Sequence, residues 1–120
     1  MKKIILFVLF FLLCAFPSDA QWVNSSGNKT ADALVVSGSG NLYGIMVATD
    51  ATNACTFAIY DGLSATSTPL LMPAFVVTTS ATDRVQYFYF SKPVHFNTGV
   101  YVDITLGAGA VGYVIYYTAP

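Results

Sequence analysis

From Ala33 to the C-terminus the chain consists of short apolar segments separated by turn residues, and this pattern constrains the fold most. Residues 100–106 alternate between apolar and mostly polar side chains, and in residues 55–60 Cys55, Phe57 and Ile59 alternate with Thr56, Ala58 and Tyr60. Such alternation is typical of a strand with one buried face. Stretches rich in Gly, Ser, Thr and Asn separate such segments, as in residues 37–41 and 49–54. No segment after residue 20 has the 3.6-residue period of an amphipathic helix.

The pattern predicts strands at residues 33–36, 42–48, 55–60, 70–78, 84–90, 94–96, 100–106 and 113–118. Seven to eight strands at a spacing of about 8–12 residues, without helices between them, favour an all-β fold. We therefore expect a single antiparallel β-sandwich or jelly-roll-like domain over residues 33–120. Pro73 should break a long strand or make it an edge strand, and Lys92-Pro93 should end the strand at residues 84–90.

The first twenty residues have the three-part pattern of a secretory signal peptide. A basic start at residues 1–3 precedes a continuous apolar run at residues 4–16, and Ser18 and Ala20 are the small residues at positions −3 and −1 of the expected cleavage site. The apolar run is shorter than the ~20 residues that span a bilayer, so a retained anchor is the weaker alternative. We expect export, and hence a secreted, extracellular or cell-surface location.

The remainder of the chain carries few charges. After residue 20 it has three cations, Lys29, Arg84 and Lys92, against five aspartates and no glutamate, whereas about 25% of residues are charged in ordinary soluble domains. Three scattered cations cannot neutralise a phosphate backbone or hold the chain on an anionic membrane. Nucleic acid is therefore excluded as a partner, and so is membrane contact beyond the signal peptide. Residues 21–32 are polar and predict a flexible lead-in or a short edge segment.

Residues that could support catalysis are few and scattered. His95 is the only histidine, and Cys55 is the only cysteine after residue 20, so they provide neither an internal disulfide nor a zinc site. His95 could form a triad with Asp103 and a serine, but no serine lies in a nucleophile-elbow motif. Asp61, in the sequence Tyr-Asp-Gly, indicates an aspartate that stabilises its own loop. We expect no enzymatic activity and no cofactor.

Among metal sites, the sequence offers candidate ligands only for calcium. Asp50 and Asn53, in the loop at residues 49–54, offer oxygen ligands, but the spacing of an EF-hand is absent. We therefore predict no metal, with Asp50 and Asn53 as a weak calcium candidate.

Two predicted strands, residues 84–90 and 113–118, carry bulky side chains on both faces. One face of each belongs to the core, and the other leaves apolar or aromatic groups exposed unless a partner covers them. Few charges oppose self-association, so we expect a homo-oligomer or an assembly partner. The alternative is carbohydrate binding, because sugar rings stack on exposed tyrosines, which would form a flat platform if the two strands paired. The residues predicted for this interaction surface are Tyr87, Tyr89, Tyr113, Tyr116 and Tyr117.

Three short motifs give the chain a resemblance to a known group of proteins. They are Gly-x-Leu (Gly40, Leu42), Tyr-Asp-Gly (Tyr60, Asp61, Gly62) and Phe-x-x-Gly-Val (Phe96, Gly99, Val100). In this succession the chain resembles small phage and prophage β-sandwich proteins of the virion, such as head-decoration, fibre or tail-associated components. The resemblance implies a structural or display role, with a virion location possible, and transfers no catalytic residue. The signal-peptide pattern departs from it and favours a secreted or surface subunit, adhesin-like or pilin-like.

Overall fold

The computed structural model describes residues 22–50, 52–66, 69–78, 84–106 (of Leu106 the backbone alone) and 111–119. These residues form eight strands and no helix, which confirms the predicted all-β class. The predicted signal peptide lies outside the described residues, and within them no helix is long and apolar enough to cross a membrane. In chain order the strands are β1 (Asn24–Ser25), β2 (Ala33–Ser37), β3 (Gly40–Thr49), β4 (Cys55–Asp61), β5 (Leu70–Val77), β6 (Val85–Phe96), β7 (Gly99–Leu106) and β8 (Val111–Thr118).

The strands form two four-stranded sheets. The first sheet has the order β1-β8-β3-β6 and the second has the order β2-β7-β4-β5. All pairings are antiparallel, and the chain crosses between the sheets at every connection except the one from β4 to β5. Eight antiparallel strands in this order form a jelly roll, as the strand pattern predicted.

The core lies between the two sheets and is built from inward-facing side chains of β2 to β8. Cys55, Phe57 and Ile59 of β4 point inward, which confirms the two-residue period in the sequence. The Phe57 ring is parallel to that of Phe75 at 5.5 Å and meets that of Tyr113 edge-on at 5.8 Å. Burying each such side chain contributes about 1.5–3 kcal/mol. The core therefore supplies the stability that a chain of this size needs without a disulfide.

Cys55 lies unpaired in this core. Burial, and secondarily the nearby Asp50 carboxylate, raises the pKa of its thiol. Both effects disfavour the thiolate, so Cys55 acts as a small apolar residue of the core.

Pro73 and Pro93 lie inside edge strands. Pro73 is in β5, the edge of the second sheet, which is one of the two predicted outcomes. The prediction that Lys92-Pro93 ends a strand at residue 90 is wrong, because β6 continues to Phe96. Its pairing with β3 is irregular there, passing from Tyr89 opposite Gly44 to Val94 opposite Leu42. An edge strand accepts a proline because the missing N–H can fall on the unpaired side or in an irregular stretch.

The polar segment at residues 21–32 contributes to the first sheet. Asn24 and Ser25 form β1 beside β8, and Lys29 makes an isolated bridge to Tyr113. Of the two predicted alternatives for this segment, the structure therefore shows a short edge strand, and the sandwich extends to Asn24.

Candidate functional site

Part of the outer surface of the first sheet is uncharged, and we call this part the tyrosine face. Its residues lie in three cross-strand rows over β6, β3 and β8: Tyr89–Gly44–Tyr116, Tyr87–Met46–Val114 and Val85–Ala48–Gly112. None of these nine residues carries a charge, and the seven that have a side chain are apolar or aromatic. The face therefore has the composition of a contact surface rather than of a solvated one.

Tyr87 and Tyr89 project furthest from this face. Their side chains are 55% and 72% exposed, and their rings are parallel, with centroids 6.0 Å apart. Tyr89 packs over Gly44, where a Cβ atom would lie 3.2 Å from the Tyr89 Cδ1 atom. An aromatic ring that covers a glycine on the neighbouring strand shields the exposed backbone of that strand.

Tyr116 shares the tyrosine face with Tyr87 and Tyr89, but the other two predicted tyrosines do not. Tyr117 points toward the core, where it is half-buried against the apolar cluster. The predicted platform of Tyr87 and Tyr89 with Tyr113 and Tyr117 does not form, because β3 separates β6 from β8.

Tyr113 is a core residue, so its prediction as a surface residue is wrong. Its side chain is fully buried, and its hydroxyl donates a hydrogen bond to the Ala31 carbonyl oxygen at 2.9 Å. Burial raises the pKa of Tyr113 to about 12, and the nearby Asp32 and Tyr101 act in the same direction. Asp32 also accepts a hydrogen bond from the Ile104 backbone N–H at 2.8 Å. Together these bonds fix the crossing of the chain from β1 to β2.

Met46 and Val114 lie at the centre of the tyrosine face, and sequence reasoning did not select them. The signal was present in residues 42–48, where apolar side chains occupy both faces of the segment. A strand with one face in solvent has mostly polar residues at every second position, as residues 100–106 do and residues 42–48 do not.

The outer surface of the second sheet has a different composition. Thr56, Asp103 and Thr105 provide hydroxyl and carboxylate groups, beside an apolar row in which Tyr60 and Tyr101 are half-buried. This surface differs from the tyrosine face in carrying a carboxylate, but it also exposes apolar side chains, namely Leu34, Leu70 and Val76.

His95 and Asp103 lie on opposite outer faces of the sandwich, because β6 belongs to the first sheet and β7 to the second. The Nδ1–H of His95 donates instead to the Asn41 side-chain oxygen at 3.3 Å. The structure therefore does not form the triad of His95, Asp103 and a serine that the sequence left possible.

The Asp61 carboxylate binds the turn between β6 and β7 rather than its own loop, which corrects the prediction. It accepts hydrogen bonds from the backbone N–H groups of Asn97 at 3.0 Å, Thr98 at 2.8 Å and Gly99 at 3.4 Å. Burial alone would raise the pKa of Asp61, but these bonds outweigh it and lower the pKa below its usual value. Asp61 is thus a structural carboxylate.

Asp50 and Asn53, the weak calcium candidates, bond to each other. Asp50 Oδ1 accepts from the backbone N–H groups of Thr52 and Asn53, at 2.9 and 3.2 Å. Asn53 donates its amide N–H to Asp50 Oδ2 at 3.3 Å, so it turns a donor rather than an oxygen ligand toward the carboxylate. In the described ranges no group of three or more His, Cys, Asp or Glu side chains could hold a metal ion.

An open groove of about 340 Å³ adjoins the tyrosine face at its Ala48 end. Its lining residues are Asn28, Thr30, Ala48, Thr49, Asp50, Val111 and Gly112. Asn28 reaches over Gly112, where a Cβ atom would meet its side-chain oxygen at 2.8 Å. The groove holds a single carboxylate and no cationic side chain.

Comparison with protein-family models, with curated proteins and with solved structures finds no match for the chain. The fold and the surface together define a small jelly-roll sandwich with one uncharged, tyrosine-rich outer face.

Proposed function

We propose that this protein is a non-enzymatic structural or display module that acts by contact, and that its tyrosine face contributes to binding a second copy of the chain. The observation that carries this proposal is the uncharged face itself, with Tyr87 and Tyr89 projecting from it. Covering exposed apolar and aromatic surface releases its hydration water and favours association. Tyrosine and methionine, both present on this face, are enriched in protein interfaces.

A second copy of the chain is the partner that this face fits best. Two copies of an uncharged surface meet without like-charge repulsion, and a two-fold arrangement brings the same surface of each copy together. After residue 20, three cations against five aspartates give a net charge of about −2, so long-range repulsion between copies is small. The signal-peptide pattern supports assembly outside the cell or at its surface, and the resemblance to phage accessory proteins supports the virion as an alternative location.

Glycan binding is the second candidate, and the parallel rings of Tyr87 and Tyr89 favour it. Tyrosine rings with one free face can stack on the apolar face of a sugar. The two functions compete for the same residues, so one experiment can separate them.

Sedimentation velocity over a range of protein concentrations tests both candidates. The purified chain, with its N-terminus identified by mass spectrometry, should self-associate. The double substitution Tyr87→Ser and Tyr89→Ser should weaken association roughly tenfold or more, as expected for buried aromatic contacts. The matched control, Tyr60→Ser with Tyr101→Ser on the second sheet, should associate like the unmodified protein.

A monomer at high micromolar concentration would contradict the assembly function. If such a monomer also bound an oligosaccharide saturably, and lost that binding with the Tyr87 and Tyr89 substitutions, glycan binding would replace it.

A further inference from the structure

Strand β6 borders the tyrosine face and is an open sheet edge. It pairs with β3 alone among the described strands, so half of its backbone groups face away from the sheet. Such an edge is a template for pairing with another strand unless charges or prolines protect it. Lys92 and Pro93 protect the second half of β6, but residues 85–89 contain neither a charge nor a proline.

The hydrogen bonds of the first sheet determine which backbone groups of β6 are free. The Thr49 N–H donates to the Arg84 carbonyl oxygen at 2.9 Å. In an antiparallel pair, residues that bond to the partner strand alternate with residues that face away from it. Gln86 and Phe88 therefore turn their N–H and C=O groups toward β3, as Arg84 does.

The hydrogen bonds of β8, which lies on the other side of β3, lead to the same assignment of the free backbone groups of β6. Tyr113 exchanges both backbone hydrogen bonds with Lys29, at 2.8 and 2.9 Å, so its N–H and C=O point away from β3. Its register partner Val47 must then turn toward β6, where it lies opposite Gln86. The residues left with N–H and C=O groups at the open edge are Val85, Tyr87 and Tyr89.

We propose that a second copy of this chain pairs its own β6 with this edge in antiparallel orientation, with the two-fold axis at Tyr87. This inference rests on the proposed self-association and specifies which part of the tyrosine face takes part. That part is its β6 edge, where Tyr87 and Tyr89 lie beside the same residues of the other copy, while the residues on β3 and β8 stay uncovered. Tyr87 would lie opposite the partner subunit's Tyr87, and Val85 opposite the partner subunit's Tyr89. About six inter-chain hydrogen bonds would form. The two first sheets would become one sheet of eight strands, with the exposed tyrosines of both copies side by side.

The charges beside this edge favour the antiparallel orientation. In that register the Arg84 residues of the two copies lie six residues apart along the paired strands, or about 20 Å. This separation exceeds the screening length of about 8 Å at physiological salt. A parallel copy would place the same two arginines side by side.

The geometry of the edge also defines a closed dimer. The irregular pairing around Pro93 limits the added strand to a short regular stretch. The opposite edge of the first sheet is β1, which has two residues and is too short to bind a further copy. Because both copies use the same edge, the contact closes on itself and does not extend into a filament.

Residue-resolved amide hydrogen exchange by NMR, at low and high protein concentration, tests the edge. The Gln86 and Phe88 amides should be protected at both concentrations, because they bond to β3. The Val85, Tyr87 and Tyr89 amides should exchange rapidly in the monomer and become protected in proportion to the dimer population. Tyr87→Pro removes one edge N–H without removing a bond to β3, and should weaken association at least tenfold more than Tyr87→Ser, which keeps that N–H.

The outcomes separate this inference from the proposed function. Self-association without protection of the three edge amides would overturn edge pairing and leave contact through the tyrosine face in place. Absence of self-association would overturn both. Concentration-dependent protection confined to the alternating edge amides would support the antiparallel dimer.

Discussion

Asp61 shows how a single carboxylate can join segments that lie far apart in the chain. Its oxygens accept backbone hydrogen bonds from the turn at residues 97–99, while its own N–H donates to the Pro69 carbonyl oxygen at 3.1 Å. The sequence indicated a turn aspartate but not the partner turn. Residues more than thirty positions away are brought to it only when β4 and β7 pair.

We expect Asp61→Asn to lower the free energy of unfolding at pH 7 by about 1–2 kcal/mol, since a neutral amide oxygen accepts these hydrogen bonds more weakly than the carboxylate does. The folded-state pKa of Asp61 is lowered, so this contribution is complete above the unfolded value of about 3.9. It is lost as the pH falls through the lower folded pKa. The difference between the two proteins should therefore shrink in acid.

Urea unfolding at pH 7 and at about pH 2.5 measures this difference. Asp103→Asn, on the exposed face of β7, is the matched control and should have little effect at either pH. Equal stability of Asp61→Asn and the unmodified protein at pH 7 would contradict the structural role of this carboxylate.

At the scale of the element, two glycines on adjacent strands differ in how much space surrounds them. Gly44 of β3 has no room for a side chain, whereas Gly112 of β8 does. A Cβ atom at Gly44 would lie 2.7 Å from the Phe88 carbonyl oxygen, which is backbone of β6. A Cβ atom at Gly112 would meet only the side chain of Asn28, which can rotate away. Gly44 therefore lies where β3 and β6 approach too closely for a side chain, whereas Gly112 does not.

We expect Gly44→Ala to destabilise the fold by about 1–3 kcal/mol, the usual cost of overpacking against fixed backbone. Gly112→Ala should change stability by less than about 1 kcal/mol, because the loss of chain entropy on folding is smaller for alanine. Thermal unfolding of the two variants compares them directly. Equal effects would show that β3 can move away from β6 at Gly44.

The length of β6 also depends on the position of this strand in its sheet. Local propensity predicts that Lys92-Pro93 ends the strand, and for a central strand this would hold. Because β6 lies at the edge, the chain passes through Pro93 and resumes pairing at Val94. Whether a strand is central or at an edge is a property of the assembled sheet and not of its own residues.

At the scale of the whole molecule, the two outer faces differ in their chemistry, and this difference predicts how association responds to salt. A contact made by an uncharged face and by backbone hydrogen bonds contains no ion pair, so salt has little electrostatic attraction to screen. We expect the association constant to change by less than about threefold between 50 and 500 mM NaCl, or to rise as salt strengthens apolar burial. Sedimentation at both salt concentrations measures it, and a fall of tenfold or more would indicate an electrostatic contact.

The sequence by itself determined the all-β class, most strand positions, the inward row of β4, the sparse charge, and two strands with bulky groups on both faces. These properties follow from local periodicity, which the chain carries residue by residue. Only the tertiary structure decided that Tyr113 is buried while Tyr87 and Tyr89 are exposed, that β3 separates β6 from β8, and that β6 ends its sheet. A strand with apolar side chains on both faces is compatible with either orientation, because alternation reveals that two faces exist and not which one meets the core. The choice is made when the sheets pack, because the orientation that buries more apolar surface is the more stable one.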